Sequence, residues 1–180
     1  MAISTINQNG LNAPLTLTSP VLNSPAFSGT PTGSLVSANM PTGSVIQVVQ
    51  GTSSSQFATT SSSFVSAGLS ATITPKFSNS KILVILTTAG CMYGPSSASN
   101  GNYQIQRNGT FVAGSNLSTG GYVYFSSSGE INLPITFTAL DSPATTSATT
   151  YALYVNAVSG YIYAQSNNVV GFIQLLEIAG

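Results

Sequence analysis

The chain has 180 residues, 42% of them hydrophobic, but only three cationic and three anionic side chains, with one Cys, no His and no Trp. General acid–base catalysis and metal binding need titratable side chains gathered at one place, so we expect no catalytic set, no metal site and no cofactor. The lack of a basic patch argues against binding to nucleic-acid phosphates. The sequence also contains no run of about 18 apolar residues, so it predicts no membrane-spanning segment.

The first 41 residues differ in character from the rest of the chain. They hold five of the nine prolines, and each proline removes a backbone donor and favours an extended predecessor. The apolar residues Leu15, Leu17, Val21, Leu22 and Phe27 recur between these prolines. A flexible linker is one interpretation, but a Gly/Ser linker carries fewer apolar residues. We therefore predict an extended anchoring arm, residues 1–41, that docks on a partner or on sister chains.

From residue 42 to residue 180 the sequence predicts a single β-domain. Runs rich in Val, Ile, Thr, Tyr and Phe alternate with turn signals. The predicted strands are Val45–Gln50, Phe64–Val65, Leu69–Thr74, Lys81–Thr88, Tyr103–Arg107, Thr110–Ala113, Tyr122–Phe125, Ile131–Leu140, Tyr151–Val158, Tyr161–Ala164 and Val169–Ile178. About ten strands at this spacing favour an antiparallel β-sandwich.

Local signals refine the first half of this prediction. Gly51 is expected to end the first strand, and the polar residues 53–63 are expected to form a loop around Phe57. The run Lys81–Thr88 (KILVILTT) is almost wholly apolar. Such a run predicts a strand buried on both faces, with Gly90 as its stop.

The clearest turn signal is Asn108-Gly109, which lies between two β-prone runs. Asn-Gly is the favoured pair for a two-residue type I′ turn, because both central residues need positive φ. We therefore predict a tight hairpin at this point.

Three further side chains invite a structural interpretation. Cys91 has no partner for an internal disulfide, and we interpret it as a small buried hydrophobe rather than a reactive thiol. Glu177 lies in an apolar final strand and Lys81 opens the most apolar one, which suggests a structural ion pair.

Six of the eight tyrosines are the candidate surface or interface aromatics. They are Tyr122, Tyr124, Tyr151, Tyr154, Tyr161 and Tyr163, and they include same-face pairs on predicted strands. Tyrosine offers a flat apolar body with a polar tip, which suits sugars and protein partners alike. Packing in the core or at a subunit interface and a glycan-binding platform both remain open.

Several short segments resemble the globular head domains of bacteriophage fibre and knob proteins. They are Gly43–Gln50 (GSVIQVVQ), Leu69–Pro75 (LSATITP), Ser80–Val84 (SKILV), Arg107–Thr110 (RNGT) and the final strand Phe172–Ile178. The Pro-punctuated arm (TLTSPVLNSPAFSGTP) is similar to the start of phage fibre shafts. The resemblance implies a jelly-roll sandwich like that of tumour necrosis factor, closed into a homotrimer.

Two functions follow as expectations. The first is a virion structural protein, a trimeric short fibre, fibre tip or capsid decoration that its arm anchors to other virion proteins, with a host-surface glycan or protein as a candidate contact. The second is a carbohydrate-binding β-sandwich that acts without a virion. The arm distinguishes them, since an assembly part uses an apolar anchor and a free lectin has no use for one.

Overall fold

The computed structural model describes residues 40–94, 99–114, 121–123 and 128–180. The predicted arm residues Leu15, Leu17, Val21, Leu22 and Phe27 lie outside the described residues, and so does Tyr124.

The described residues form an all-β domain. Its strands are β1 (Val45–Ser53), β2 (Phe57–Thr59), β3 (Val65–Ile73), β4 (Lys81–Gly94), β5 (Ser99–Arg107), β6 (Thr110–Gly114), β7 (Gly121–Val123), β8 (Gly129–Asp141), β9 (Thr149–Ser159), β10 (Tyr161–Ala164) and β11 (Gly171–Ile178). A 3-10 helix, Ser166–Asn168, connects β10 to β11. No helix in the described ranges has the length and hydropathy needed to cross a membrane.

The strands form two antiparallel sheets. Sheet I has the order β1-β11-β4-β10-β2, and β8 pairs with the other edge of β4. Sheet II has the order β3-β9-β5-β6, with β7 also paired to β5. In sheet I, β11 pairs with the first half of β4 and β10 with the second half, so both occupy the same edge of β4.

The strand pairs are nested in the sequence. β1 pairs with β11, β2 with β10, β3 with β9, β4 with β8, and β5 with β6 and β7. The described strands therefore form one long antiparallel ribbon, closed at the β5–β6 hairpin and rolled into two packed sheets. This arrangement is a jelly roll, so the predicted fold is confirmed.

The core lies between the two sheets. Alternate residues of each strand point inward, as the two-residue period of a strand requires. The largest fully buried apolar side chains are Leu69, Ile73, Ile82, Leu86, Met92, Ile105, Tyr151, Leu153, Ile162, Ile173 and Leu175. They come from both sheets, so the sandwich closes around a continuous apolar layer.

Two strands run past the glycines that were expected to end them. β1 continues beyond Gly51 to Ser53, and β4 continues beyond Gly90 to Gly94. A Cβ at Gly51 would collide with the carbonyl of Ser70, and one at Gly90 would lie 2.6 Å from Tyr103 Oη. Because these glycines have no side chain, the other sheet can approach β1 and β4 closely at these points. Their interpretation as strand ends is wrong.

Residues 53–63 are also not wholly a loop. Phe57 begins the short strand β2, which pairs with β10. Three residues amid serines and threonines give too short an alternating pattern to predict, and tertiary pairing decides the outcome.

The prediction that Lys81–Thr88 is buried on both faces is wrong for the isolated chain. Ile82, Val84 and Leu86 are fully buried in the core, whereas Leu83 and Ile85 are only partly covered on the outer face of sheet I. One apolar side of β4 is therefore partly exposed on the outer face of sheet I.

The predicted hairpin is confirmed. Arg107 pairs with Thr110, and the two residues between them have φ of 47° at Asn108 and 84° at Gly109. Positive φ at both positions is the property of a type I′ turn. Asn108 also exchanges two hydrogen bonds with the backbone of Thr150, each 2.9 Å long, so the turn is fastened to β9.

Candidate functional site

The outer face of sheet I carries a row of four aliphatic side chains, one from each of β1, β11, β4 and β8. Val48 pairs with Leu176, Leu176 with Leu83, and Leu83 with Leu140. Val48 is 59% exposed and Leu140 58% exposed, while the central pair is partly covered by its neighbours. We call this set the aliphatic row.

Two shallow grooves lie farther along the same face, on either side of Phe172, which is 42% exposed. The groove of about 390 Å³ is lined by Gln50, Ile85, Thr87, Phe172 and Gln174. The groove of about 310 Å³ is lined mainly by apolar groups, among them Leu133, Pro134, Val169 and Val170. None of the residues that line either groove is charged, so the middle of the face suits an uncharged partner.

Three tyrosines gather at the far end of this face. Tyr161 is the register partner of Tyr93, and their ring centroids are 5.9 Å apart. Tyr161 and Tyr163 alternate on β10, and their rings are stacked with centroids 6.3 Å apart. Both distances fall in the range of attractive ring pairs. We call Tyr93, Tyr161 and Tyr163 the tyrosine cluster; Tyr161 is 40% exposed.

The tyrosine cluster has a rigid base. The buried Tyr103 of sheet II donates from its Oη to the carbonyl oxygen of Tyr163 at 2.7 Å, which ties β10 to the opposite sheet. Cys91 lies in β4 between Tyr163 and Asn132 and is buried, as predicted. Burial, and then the nearby Glu130 carboxylate, raise the pKa of the Cys91 thiol, although a hydrogen bond with Ser166 partly lowers it.

Two polar side chains of β8 border the tyrosine cluster. Glu130 is the register partner of Tyr93, and Asn132 is the partner of Cys91. Asn132 Oδ1 accepts a hydrogen bond from Ser166 Oγ at 2.7 Å, which orients the amide. Burial and the neighbouring Cys91, Tyr161, Tyr93 and Glu130 groups raise the pKa of the Tyr163 phenol, which stays neutral at physiological pH.

The charged residues divide between the two ends of the sandwich. Five of them lie near Ile82 and its two cross-strand partners. They are Lys76, Lys81, Arg107, Asp141 and Glu177. β1 begins in this region, and Gly43 N donates to the carbonyl of Ala179 at 2.8 Å. We call it the arm end, because the chain enters the sandwich here. Glu130 lies at the opposite end, which we call the tyrosine end.

Tyr151 is not a surface or interface aromatic. It is fully buried in the core, and its Oη donates to Asp141 Oδ2 at 2.7 Å. Arg107 Nη1 donates to the same oxygen at 2.6 Å. The three side chains join β5 and β9 of sheet II to β8 of sheet I, so Tyr151 is a structural residue.

Glu177 is buried without the predicted Lys81 ion pair. Its carboxylate accepts hydrogen bonds from the backbone N–H groups of Lys76, at 2.7 Å, and Phe77, and from Gln47 Nε2. Burial alone would raise its pKa, but the hydrogen bonds outweigh burial and lower it. The ionised Glu177 side chain therefore holds the connection between β3 and β4 against β11.

The outer face of sheet II carries polar pairs beside the exposed Phe111 and Val158. Thr72 and Thr150 lie side by side with their Oγ1 atoms 2.7 Å apart, and Asn102 Nδ2 donates to Asn156 Oδ1 at 2.9 Å. Tyr154, a candidate from the sequence, lies on this face between Ser66 and Gln104, away from the tyrosine cluster. Tyr122 lies on β7, paired with Asn100. Of the candidates whose side chains the structure describes, Tyr161 and Tyr163 thus lie together, whereas Tyr151 and Tyr154 lie elsewhere.

Sequence reasoning missed Tyr93, Glu130 and Asn132. If Gly90 is taken as an interior residue of β4, the two-residue period places Tyr93 on the face of Leu83 and Ile85. The position of Tyr93 could therefore have been inferred from the sequence. The pairing of β10 with the second half of β4 could not.

No protein-family model matches the chain, and no curated protein matches its sequence. Among the described residues, no three His, Cys, Asp or Glu side chains come together as a metal ion would need.

Proposed function

We propose that the protein is a virion structural protein, a homotrimeric knob anchored to the particle by residues 1–41. The exposed aliphatic row of sheet I is the observation that carries the assembly part of this proposal. The resemblance to phage fibre and knob domains, together with the jelly-roll fold, supports the virion part.

The aliphatic row supports self-assembly because the isolated chain leaves it uncovered. Leu83 belongs to the most apolar strand, yet only one face of that strand lies in the core. Val48 and Leu140, at the two sides of the row, are more than half exposed. Burying such side chains contributes about 25 cal/mol per Å², and closed homo-oligomers are the usual way to cover a patch of this kind.

The low charge of the chain supports the same proposal. Most soluble monomers are kept apart by surface charge, whereas this chain has a formal net charge of zero. The uncharged grooves beside Phe172 offer further surface that a sister chain can fill without desolvating an ion.

A carbohydrate-binding sandwich that acts without a virion is the second candidate. The stacked rings of Tyr161 and Tyr163 favour it, because exposed ring faces suit sugars. The two candidates differ in their need for the arm.

Deleting residues 1–41 tests the proposal. We expect the shortened chain to keep its cooperative thermal unfolding but to be absent from virus particles assembled in cells where it is the sole copy. Full-length chain expressed at the same level is the control. Normal incorporation of the shortened chain contradicts the anchor, and loss of folding identifies the arm as part of the sandwich instead.

A further inference from the structure

The tyrosine cluster lies at the end of the sandwich opposite to the arm end, where β1 begins. Residues Ile82 and Tyr93 mark the two ends along β4, and at ~3.3 Å per residue they are about 36 Å apart. The chain enters beside Ile178 and Lys81, at the arm end. In a knob held by its arm, the tyrosine end is the end that can reach a host surface.

The chemistry of the cluster is mixed rather than purely apolar. Tyr93 is the register partner of Tyr161 on one side and of Glu130 on the other, and Asn132 lies two residues beyond Glu130 on β8. Glu130 forms no salt bridge within the part of the chain that the structure describes, where the one bridge joins Arg107 to Asp141. A second copy that covered the cluster with its own tyrosine end would bring another Glu130 and no cation, so the carboxylates would be desolvated unpaired, which is costly.

A saccharide satisfies the same groups. A pyranose ring has an apolar C–H face that packs on an aromatic ring, and a rim of hydroxyl groups. Those hydroxyls can donate to the Glu130 carboxylate, and they can accept from the Asn132 Nδ2 while Oδ1 stays bonded to Ser166. The ring faces bind the sugar and the polar pair sets its orientation.

The charge of the site selects among saccharides. The three cations of the chain are Lys76, Lys81 and Arg107. All three lie at the arm end, and Arg107 is already bonded to Asp141. A sialylated, sulfated or uronic-acid sugar would therefore meet Glu130 with no cation nearby, and like charges repel.

We propose that the tyrosine cluster, with Glu130 and Asn132, is a binding site for a neutral saccharide. The position of this site at the host-facing end rests on the proposed function, whereas its chemistry does not. It is separate from the aliphatic row, which lies about 33 Å away along β4.

The test begins with the purified full-length chain on an array of immobilised neutral oligosaccharides of glucose, galactose, mannose and N-acetylglucosamine, with sialylated and sulfated counterparts. A neutral oligosaccharide that binds is then titrated in solution by tyrosine fluorescence, which is usable because the chain has no Trp. We expect neutral binding that Tyr161→Ala weakens by about tenfold or more and that Glu130→Ala also weakens.

Phe111→Ala is the matched control, since Phe111 is an exposed aromatic on sheet II, and it should bind like the parent. The site is overturned if no neutral oligosaccharide binds, if acidic ones bind better, or if Tyr161→Ala binds like the parent. A changed molecular mass of Tyr161→Ala in light scattering would make the cluster a subunit interface and also overturn it. Saccharide binding by a full-length chain that does not enter particles contradicts the proposed function alone.

Discussion

At the scale of single residues, Asp141 fastens the two sheets together. One carboxylate oxygen accepts from both Arg107 and Tyr151. Hydrogen bonds to ionised groups are stronger than neutral ones. Asp141 ends β8 and Tyr151 lies in β9, so the contact also fixes how the chain passes from sheet I to sheet II.

Tyr151→Phe should therefore destabilise the fold while keeping the ring in the core. We expect the free energy of unfolding to fall by about 1–3 kcal/mol, measured by chemical denaturation. Tyr154→Phe makes the same chemical change on the outer face of the same strand and should have little effect. Equal effects of the two substitutions would contradict the role given to the Asp141 contact.

Glu177 predicts how stability depends on pH. Because its folded pKa lies below its unfolded value, its hydrogen bonds contribute stability that is present above about pH 4.3 and lost as pH falls through the folded pKa. Burial raises the pKa of tyrosines such as Tyr103. At alkaline pH these phenols should therefore lower the stability of the fold as pH rises above about 10. With no His in the chain, stability should be flat from about pH 5 to pH 9.

Glu177→Gln checks this account. The variant should be less stable at pH 7 and should lose less of its stability on acidification, as followed by thermal melting across the pH range. Glu130→Gln removes an exposed carboxylate and is the control. An unchanged acid response in Glu177→Gln, or a shift of several degrees in the parent between pH 8 and pH 6, would be inconsistent with it.

At the scale of elements, the β5–β6 hairpin closes the whole ribbon. Gly109 has φ of 84°, and an added Cβ would meet no atom within 4 Å. The cost of a substitution there comes from the backbone conformation and not from crowding. A β-branched residue at positive φ is strained.

Gly109→Val should lower the free energy of unfolding by about 1–3 kcal/mol. Gly109→Asn should cost much less, because Asn tolerates the left-handed region. Melting curves of the two variants and the parent measure the difference. If Gly109→Val melts within a degree of the parent, the turn is not the constraint we describe.

The elements also show what the sequence could and could not predict. Strand runs such as Tyr161–Ala164 and the Asn108-Gly109 turn were predictable, because they rest on local propensity and turn chemistry. The ends of β1 and β4 were not, since Gly51 and Gly90 are required by Ser70 and Tyr103, which approach from the other sheet. The tyrosine cluster depends on the same kind of long-range pairing.

At the scale of the whole molecule, the two faces of the sandwich differ in polarity. The outer face of sheet I is apolar and uncharged along the aliphatic row, and that of sheet II carries hydroxyl and amide side chains. Along the strands, the arm end holds five charged residues and the tyrosine end holds Glu130 and the stacked rings. One face is therefore suited to assembly and one end to recognition.

A charge placed in the aliphatic row should disrupt assembly. Leu140→Lys changes a side chain that is 58% exposed, so the chain should still fold, but a buried unpaired ammonium would oppose association. We expect a lower molecular mass than that of the parent by light scattering. Phe111→Lys on sheet II, where the replaced side chain is 44% exposed, is the control and should leave the mass unchanged.

The most direct test of the assembly is the mass of the unmodified full-length chain in solution. Multi-angle light scattering at micromolar concentration should give three times the 18.3 kDa mass of one chain. A stable species of 18.3 kDa under the same conditions would contradict the account, because the aliphatic row would then be exposed in the native protein.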